Sequence, residues 1–352
     1  MMDVQLDTND VLLVASRGTE ARHGLWRWDN RGGSWRGEQL GTVRQLSALA
    51  GHPTLPVVYG TAGIDDEGTL HAWRIDTGGC TELGAKSSEG AEPCHLVVDP
   101  SGRLLIVTNY TTSTLALQPL GPDGAFDGPL SLLKLSGGGP EIERQDDAHP
   151  HQAFFHGDTL IVIDLGADLI REFAVDPAQT GTAALRELRQ TAVRAGAGPR
   201  HGVVLPDGRL AVSGELGSNL LVGRPGDTVA DWADVPSTTR TGPAKTRHTR
   251  NYPGDIQRSA DGRHVYFANR SHDTLATFDA SGPVPALVAE TDTTVAWPQH
   301  ILVHGPHLLV AGWDSGRVVA LPTDGGVPTG ALPLLDCEGA GWLHLHRLGP
   351  AG

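Results

Sequence analysis

An internal repeat constrains the fold of this chain more than any other feature. A strand-like run, a turn and a second strand-like run recur seven times. The repeats lie roughly 45–55 residues apart, which is the period of four-stranded propeller blades and not of helical solenoids. Several repeats also carry an upstream strand and a Pro-X-Gly-Arg turn, as in HLVVDPSGRLLIV from His95 and HGVVLPDGRLAV from His201. The sequence therefore predicts an all-β, seven-bladed β-propeller that forms a single domain over residues 1–352.

The two ends of the chain carry the separate parts of one blade. The first repeat begins at Val11 without a preceding innermost strand, whereas the tail Gly341–Leu348 is strand-like but has no following hairpin. We predict that Leu343–His346 pairs beside Val11–Ala15, so that the C-terminal strand closes the first blade. Such closure removes the open strand edge that would otherwise lie between the termini.

The stretch His149–Asp176 predicts two consecutive hairpins. Because antiparallel neighbours return to the same edge of a sheet, His149 and His151 at the start of one strand are expected near Asp164 at the end of the next. The nearest approach to a helical pattern, Ala183–Ala192, is predicted as an outer strand or a loop. The strands predicted in the two hairpins are Ala153–Phe155, Leu160–Ile163 and Leu169–Val175.

Polar side chains recur at two equivalent places in five repeats, where the innermost strand begins and where the second strand ends. Both places lie on the same face of a propeller, so these side chains converge on one central funnel, as a site requires. We predict that the catalytic residues are His151, Arg200, Glu215 and Arg270. The predicted substrate-binding residues are His95, Asn109, His149, Asp164, His201, Asn269 and His300.

The residue types indicate what this funnel can do. An imidazole titrates near neutral pH, so His151 is a candidate acid or base. Glu215 follows an apolar strand beside the axis, where a buried carboxylate requires a partner, and Arg200 and Arg270 can supply one. Glu215 then either accepts a proton from water or only anchors the arginines.

Structural roles are open for several of the other residues. A histidine that opens a strand, such as His95, His201 or His300, can simply hydrogen-bond a neighbouring loop. Asp164 and Asn269 can tie down turns or bridge two blades.

Composition excludes several functions. The formal net charge of −14 at pH 7 argues against nucleic acid or an anionic membrane as a partner, because phosphate groups require a basic surface. Cys80, Cys94 and Cys337 lack CxxC spacing, so neither a disulfide framework nor a structural zinc site is predicted. No run approaches ~18 apolar residues, and no basic segment precedes an apolar one at the N-terminus. We expect a cytoplasmic monomer or homodimer.

Four motifs together carry a specific resemblance: HPHQ…VIDLGAD, GPRHGVVLPDGRLAVSGEL, DIQRSADGRHVYFANRSHDTLATF and EPCHLVVDPSGRLLIVTNY. The chain resembles the lactonase family of seven-bladed β-propellers from about Leu46 to the C-terminus. That family includes propeller-type 6-phosphogluconolactonases and fungal carboxy-cis,cis-muconate cyclases. The resemblance implies a site without metal or cofactor and a small-molecule lactone or carboxylate as substrate. It also implies that His151, Arg200, Glu215 and Arg270 are the working residues, the same four that their positions indicate.

The chain departs from the family pattern at two places in the last full repeat. Family members usually carry Pro-Arg where this chain has Pro298-Gln299-His300, and they often carry Ala-Asn-Gln where it has Ala311-Gly312-Trp313. A cation and an amide are thus lost from the funnel and a tryptophan is gained. A substrate less charged or more aromatic than a phosphosugar is compatible with this change.

The primary functional hypothesis is a lactonase that hydrolyses a sugar lactone, with 6-phosphogluconolactone as the favoured substrate. Glu215 or His151 would deprotonate water, while Arg200 and Arg270 would stabilise the oxyanion and hold an anionic group. The basic segment Arg240–Arg250 could form a lid that adds phosphate contacts.

Three alternatives follow from the same residues. The first is a cyclase or isomerase that forms a lactone from an unsaturated carboxylate such as a muconate. The second is a non-catalytic interaction scaffold, although a scaffold has no need for the four working residues. In the third, a calcium-dependent lactonase, hard oxygen ligands would hold the ion, although the flanking arginines would repel it. The candidate ligands are Asn109, Asp164, Glu215 and Asn269.

Overall fold

Seven antiparallel sheets follow one another around a central axis, and the innermost strand of each packs against those of its two neighbours. The computed structural model describes residues 4–30, 33–63, 67–240 and 250–349. The predicted seven-bladed β-propeller is confirmed.

The blades are numbered in chain order, and the strands of each blade are given in sequence order. Blade 1 contains β1 (Asp10–Ser16), β2 (Gly24–Asp29) and β3 (Arg36–Thr42); blade 2 contains β4 (Leu46–Gly51), β5 (Val57–Ala62), β6 (Glu67–Asp76) and β7 (Gly79–Ala91). Blade 3 contains β8 (Pro93–Val98), β9 (Leu104–Asn109), β10 (Thr114–Pro119) and β11 (Ser131–Lys134); blade 4 contains β12 (Pro150–His156), β13 (Thr159–Asp164), β14 (Leu169–Val175) and β15 (Leu185–Ala192). Blade 5 contains β16 (Pro199–Val204), β17 (Leu210–Gly214), β18 (Asn219–Gly223) and β19 (Ala233–Pro236); blade 6 contains β20 (Pro253–Arg258), β21 (His264–Asn269), β22 (Thr274–Asp279) and β23 (Ala286–Asp292). Blade 7 contains β24 (Pro298–His304), β25 (His307–Gly312), β26 (Arg317–Asp324), β27 (Val327–Pro328) and β28 (Leu332–Asp336), and β29 (Ala340–Arg347) returns to blade 1. Short 3-10 turns occupy Gly181–Ala184 and Val229–Asp231.

The C-terminal strand closes the ring. β29 pairs antiparallel with β1, in a register that places Leu343 opposite Val14 and His346 opposite Val11. It supplies the innermost strand that the first repeat lacks. The predicted closure of blade 1 is therefore confirmed.

Apolar side chains hold neighbouring blades together. Second strands such as β13, with the sequence TLIVID, are almost wholly buried because a blade packs on each of their faces. One apolar cluster joins Ile163 of blade 4 to Val212 of blade 5, and another joins Leu220 of blade 5 to Phe267 of blade 6. A single blade cannot bury both of its faces, so the repeats stabilise one another.

A β-bulge near the start of each innermost strand positions the site. In blade 4, Pro150 pairs with Asp164 and Gln152 pairs with Ile163, which leaves His151 as the extra residue. A bulge bends its strand and redirects the local side chains, here toward the axis. The residues that the bulges release from pairing in blades 2 to 7 are Ser47, Cys94, His151 and Gln299, with the two-residue segments Arg200-His201 and Gly254-Asp255.

The strands of the two predicted hairpins correspond to β12, β13 and β14, and the segment Ala183–Ala192 contains the outer strand β15. His149 lies beside Asp164 as expected, since its backbone N–H donates to Asp164 Oδ1 at 2.8 Å. Among the described residues, no helix has the length and apolar character needed to span a membrane.

Candidate active site

A cavity of about 410 Å³ opens at the end of the axis where the innermost strands begin. Cavity-lining residues at or next to the bulges form its floor, and we call them the upper layer. Buried polar residues one position after the first bulge residue of β8, β12, β16, β20 and β24 lie deeper on the same axis, and we call these the lower layer. The upper layer consists of Ser47, Cys94, His151, Arg200, Gln299 and Trp342. The lower layer consists of His95, Gln152, His201, Asp255 and His300, all of them buried.

Glu215 is the centre of an ion-pair cluster on the cavity wall. Its Oε1 accepts a hydrogen bond from Arg144 Nη2 at 2.7 Å, and its Oε2 accepts one from Arg270 Nη2 at 2.6 Å. Arg200 Nε lies 2.9 Å from Oε2 in a third ion pair. Both carboxylate oxygens are thus directed at guanidinium groups, and the structure brings together the predicted Glu215, Arg200 and Arg270.

The charge balance of this cluster makes the carboxylate a weak base. Burial raises the pKa of Glu215, but Arg270, Arg144 and Arg200 together override burial and lower it to about 2. Burial and the neighbouring guanidiniums lower the pKa of Arg270 to about 9, although its ion pair with Glu215 acts in the opposite direction. Arg270 therefore stays charged at neutral pH, and three guanidinium groups surround one carboxylate.

Arg200 lines the cavity and carries buried donors that have no partner among the described residues. The residue is only 4% exposed, yet neither Nε nor Nη1 has a hydrogen-bond partner among the described residues. The ion pair with Glu215 does not satisfy Nε, because it lacks hydrogen-bond geometry. Buried guanidinium donors nearly always have partners, so these N–H groups are suited to bind an oxygen of a ligand.

His151 lies in the upper layer as a neutral imidazole. Burial and the charge of Arg200, with smaller contributions from His201 and Arg270, lower its pKa well below 6.5. At neutral pH its ring therefore has one lone pair that can accept a proton. The structure thus brings a base next to the arginine cluster.

Two further residues of the cavity wall come from loops: Arg144 lies before blade 4 and was not predicted, and Tyr110 follows β9 in blade 3. Arg144 Nη2 donates to the Tyr110 hydroxyl at 3.2 Å as well as to Glu215. Burial raises the pKa of Tyr110 to about 12, so it remains a phenol at neutral pH. His149 stacks on the Tyr110 ring with 4.5 Å between centroids and bonds the Tyr110 carbonyl and the Asp146 carboxylate. His149 therefore holds this loop and does not line the cavity.

Three of the predicted histidines lie in the lower layer, beneath the cavity floor. His201 Nδ1 lies 2.9 Å from Asp255 Oδ1, and His300 Nε2 lies 3.6 Å from Asp255 Oδ2. His95 packs edge-on against His201, with 5.7 Å between ring centroids. Direct substrate contact, which the sequence suggested for these residues, does not fit their depth.

These buried histidines predict that acid destabilises the protein. Burial lowers the folded-state pKa of His95, His151, His201 and His300 below 6.5. The unfolded chain therefore binds more protons below pH 6.5, and stability falls as pH drops through that value, by up to about 1.4 kcal/mol per pH unit for each histidine. Urea unfolding at several pH values from above 6.5 down to about 5 measures this loss. A free energy of unfolding that is constant over the range contradicts the neutral cluster.

Three predicted substrate-binding residues lie outside the cavity lining: Asn109 and Asn269 bond a neighbouring blade, whereas Asp164 bonds groups of its own blade. Asn109 Nδ2 donates to the Ser88 carbonyl of blade 2, and Asn269 Nδ2 donates to the Ser237 carbonyl beside blade 5. Asp164 is fully buried and binds Arg171 Nε at 2.9 Å. The substrate-binding role of these three residues stays a prediction, and Asn109 Nδ2, Asn269 Nδ2 and both Asp164 carboxylate oxygens are bonded to neighbouring groups. The contacts of Asn269 match the bridging alternative, and those of Asp164, which accepts from the backbone N–H of Ala167, match the turn alternative.

Aromatic side chains line another part of the cavity. Arg270 lies over the Trp297 ring at 5.0 Å, and Arg17 lies over the Trp313 ring at 4.2 Å. Gln299, which stands where the family usually has arginine, accepts hydrogen bonds from Trp297 Nε1 and Arg270 Nη1. The wall therefore combines cations with flat apolar faces.

The described residues contain neither a reactive thiol at the cavity floor nor a cluster of metal-ligating side chains. Burial raises the pKa of Cys94 to about 12, so its thiol is not a nucleophile at neutral pH. Within residues 4–30, 33–63, 67–240 and 250–349, no group of three or more His, Cys, Asp or Glu side chains has an arrangement suited to a metal ion.

The predicted lid lies mostly outside the described residues, which omit 241–249. Its two ends are described. Arg240 pairs with Glu290 and Asp292, and Arg250 lies over the ring of Tyr252, a residue of the cavity wall, at 5.3 Å. The segment therefore ends at the cavity rim.

Comparison with known proteins identifies the fold family. The family model described as "Lactonase, 7-bladed beta-propeller" matches residues 24–336. The chain belongs to this family. The resemblance seen in the four sequence motifs is thereby confirmed.

Relatives of this lactonase-family chain cover most of its length. It is 28% identical over 309 residues to the 6-phosphogluconolactonase of Bacillus subtilis, spanning 83% of this chain and 85% of that relative. It is 25% identical over 344 residues to the 6-phosphogluconolactonase of Erwinia tasmaniensis, spanning 96% and 99%. The solved structure of the periplasmic gluconolactonase of Pseudomonas aeruginosa superposes with a TM-score of 0.80 at 22% identity, spanning 97% and 99%, which shows a shared fold.

Proposed function

We propose that this lactonase-family protein hydrolyses a sugar lactone and that 6-phosphogluconolactone is its substrate. One observation carries the proposal: the neutral imidazole of His151 and the unsatisfied donors of Arg200 meet at the floor of one cavity. A base and an oxyanion donor are what lactone hydrolysis requires. The names of the Bacillus and Erwinia relatives support the choice of substrate.

The reaction needs one activated water. His151 accepts a proton from water while the water oxygen bonds to the lactone carbonyl carbon, and Arg200 N–H groups stabilise the oxyanion that forms. Collapse of this intermediate breaks the bond between the carbonyl carbon and the ring oxygen. The proton on His151 or the phenol proton of Tyr110 then passes to the departing oxygen, and the product is an open hydroxy acid.

In this mechanism Glu215 acts as an anchor. A carboxylate whose two oxygens already accept from Arg144 and Arg270 has a low affinity for a further proton. It holds the arginines in place and offsets their mutual repulsion. The assignment of the base to His151, and not to Glu215, follows from this difference in proton affinity.

Arg17 is suited to the phosphate of the substrate. It follows β1 in blade 1, whereas Arg200 lies in β16 of blade 5 and Glu215 follows β17 of the same blade. In a ring of seven, blades 1 and 5 lie on opposite sides of the axis. The cavity is thus cationic on two sides. A cavity of about 410 Å³ is also within the roughly 300–1,000 Å³ typical of small-molecule sites.

We predict that Arg17→Gln discriminates phosphorylated from plain lactones. The change should raise KM for 6-phosphogluconolactone about 10-fold or more, because a hydrogen bond to a charged group contributes about 1.5–3 kcal/mol. KM for glucono-δ-lactone should stay near the wild-type value. Steady-state hydrolysis of both lactones measures the difference.

Arg22→Gln is the matched control for this prediction. Arg22 is an exposed arginine that pairs with Glu338 near the same rim. Its loss should leave both KM values unchanged. An equal effect of Arg17→Gln on both lactones would show that Arg17 does not bind phosphate.

A lactone panel tests the activity itself. Proton release from 6-phosphogluconolactone, glucono-δ-lactone and a muconolactone is followed with a pH indicator, with spontaneous hydrolysis subtracted and with or without prior chelation. We expect the phosphorylated lactone to react fastest and chelation to leave the rate unchanged. The proposal would be overturned by hydrolysis at the spontaneous rate only, or by lactone formation from an unsaturated dicarboxylate. Its metal-free form would be overturned if chelation abolished the activity and calcium restored it.

We also propose that the protein is cytoplasmic, because its proposed substrate, 6-phosphogluconolactone, is a phosphorylated metabolite. The Pseudomonas neighbour is described as periplasmic, so the fold itself occurs in that compartment. Fractionation of cells with an antibody to the chain would decide the location.

A further inference from the structure

Three buried imidazole nitrogens beneath the cavity have no hydrogen-bond partner among the described residues. They are Nδ1 of His95, Nδ1 of His151 and Nε2 of His201. The His201 ring packs edge-on against both of the other rings, with centroid distances of 5.1 Å to His151 and 5.7 Å to His95. Buried polar atoms almost always have partners, so this cluster calls for an explanation.

Asp255 determines which nitrogen of His201 carries the proton. Its Oδ2 accepts from the backbone N–H of Ile301 at 2.9 Å, and its Oδ1 lies 2.9 Å from His201 Nδ1. Burial raises the pKa of Asp255, but His300 and His201 override burial and lower it, so the group is an ionised carboxylate and can only accept. His201 must therefore carry its proton on Nδ1 and direct a lone pair from Nε2 into the cluster.

A lone pair on His201 Nε2 selects the tautomer of the neighbouring ring. His151 Nδ1 is the buried nitrogen of the residue that lines the cavity floor. If Nδ1 carries the proton, it can donate toward His201 Nε2 through one buried water, which can also accept from His95 Nδ1. One water with these three partners satisfies all three nitrogens. The nitrogen of His151 that remains for the cavity, Nε2, is then unprotonated.

We propose that Asp255 and His201 form a buried positioning pair that fixes the tautomer of His151 and thereby leaves its cavity-facing nitrogen able to accept a proton. The pair touches no substrate and acts through His151. Its kinetic consequence rests on the proposed lactonase activity, whereas its effect on the tautomer does not. Other ionisable groups around the two rings are Tyr110, Arg200, Arg270, His95 and His300.

The substitution Asp255→Asn tests the proposal because it inverts the proton pattern. The backbone N–H of Ile301 keeps the amide oxygen on its own side, so the NH2 group faces His201 Nδ1. His201 must then carry its proton on Nε2, so the water faces three N–H donors although it can accept from only two. We expect the relief to be a switch of His151 to the Nε2–H form, in which its cavity-facing nitrogen cannot accept the proton of water.

Nitrogen NMR of protein with isotope-labelled histidine reads the tautomers directly, with the signals assigned from His151→Gln and His201→Gln. In the wild type we expect both residues in the Nδ1–H form, whereas free histidine prefers Nε2–H. In Asp255→Asn we expect both in the Nε2–H form. A wild-type His151 in the Nε2–H form, or a His151 tautomer that Asp255→Asn leaves unchanged, would overturn the proposal.

The kinetic arm measures 6-phosphogluconolactone hydrolysis. Asp255→Asn should lower kcat about 10²-fold or more, as loss of a general base does, with KM near the wild-type value. The control His344→Gln changes a half-buried histidine of β29 outside both layers and should leave kcat unchanged. A kcat near the wild-type value in Asp255→Asn would overturn the positioning role. If no lactone is hydrolysed, the proposed function fails, but the NMR result still tests the tautomer proposal. If Asp255→Asn does not fold, the wild-type tautomers of His151 and His201 test that proposal alone.

Discussion

Replacing His151 with glutamine is expected to reduce kcat by about 10²–10⁴-fold, the usual effect of losing a general base. Glutamine preserves much of the side-chain volume but cannot take the proton of water at neutral pH. KM should change little, since Arg17 and Arg200 are untouched.

The pH profile separates this assignment from others. The pKa of His151 lies well below 6.5, so the acid limb of kcat/KM in the wild type should also lie well below 6.5 and should disappear in His151→Gln. His156→Gln, at the exposed end of the same strand, is the control and should keep the whole profile. If His151→Gln retains more than about a tenth of the wild-type kcat, another group is the base.

The second large effect is expected in stability, from Glu215→Gln. Removing the carboxylate leaves Arg144, Arg200 and Arg270 clustered without a counter-charge. Breaking a buried ion pair from one side typically costs about 3–5 kcal/mol, and thermal or urea unfolding should show a loss of this size. Because displaced arginines still carry their charge, kcat should fall by less than the ~10²–10³-fold that accompanies loss of an oxyanion donor.

Two comparisons sharpen this second prediction. Glu290→Gln is a matched control, because Glu290 is another largely buried glutamate, bonded to Thr274 and Arg240 outside the cavity, and its loss should affect stability only. The acid limb of kcat/KM should persist in Glu215→Gln. A stable Glu215→Gln protein that loses turnover together with its acid limb would identify Glu215 as the base.

The ion pairs of Glu215 also add a second acid transition to the free energy of unfolding. The folded-state pKa of Glu215 is lowered to about 2 from 4.5, so its contribution is complete above 4.5 and is lost as pH falls from there toward 2. This window lies below that of the buried histidines, which lose stability from 6.5 downward. The two groups are therefore distinguishable in one acid titration.

The sequence was informative where local pattern determines structure. Alternating and β-branched runs such as Leu160–Ile163, with turn residues between them, specify hairpins without reference to the rest of the chain. The orphan strand at each end was enough to predict how β29 pairs with β1. Glu215, Arg200 and Arg270 were brought together correctly because strand starts and second-strand ends share one face of a propeller.

The sequence was less informative about depth along the axis. Arg200 and His201 are adjacent, yet one faces the cavity and the other lies beneath it. The difference arises from the bulge, which alternation of polar and apolar residues does not encode. A usable signal was present, since a proline opens β8, β12, β16, β20 and β24 and the next residue enters the upper layer in four of these five strands.

Two other differences between expectation and structure have local causes. Arg144 lies in an irregular loop with no strand pattern, so nothing in its surroundings tied it to blade 5. Asn109 and Asn269 were taken for ligands because they end second strands. Each is followed five residues later by a threonine, Thr114 or Thr274, that bonds its side chain, and this shared spacing indicates a structural role.

The bulges also bear on how such a protein can change its substrate. An extra residue contributes to the cavity floor but not to the register of its sheet, so exchanging its side chain leaves the backbone pairing of the blade intact. Ser47, Cys94 and Gln299 occupy three such positions in three separate blades. A new specificity can therefore be assembled one blade at a time, by evolution or in a combinatorial library, on a scaffold whose folding is largely indifferent to the outcome.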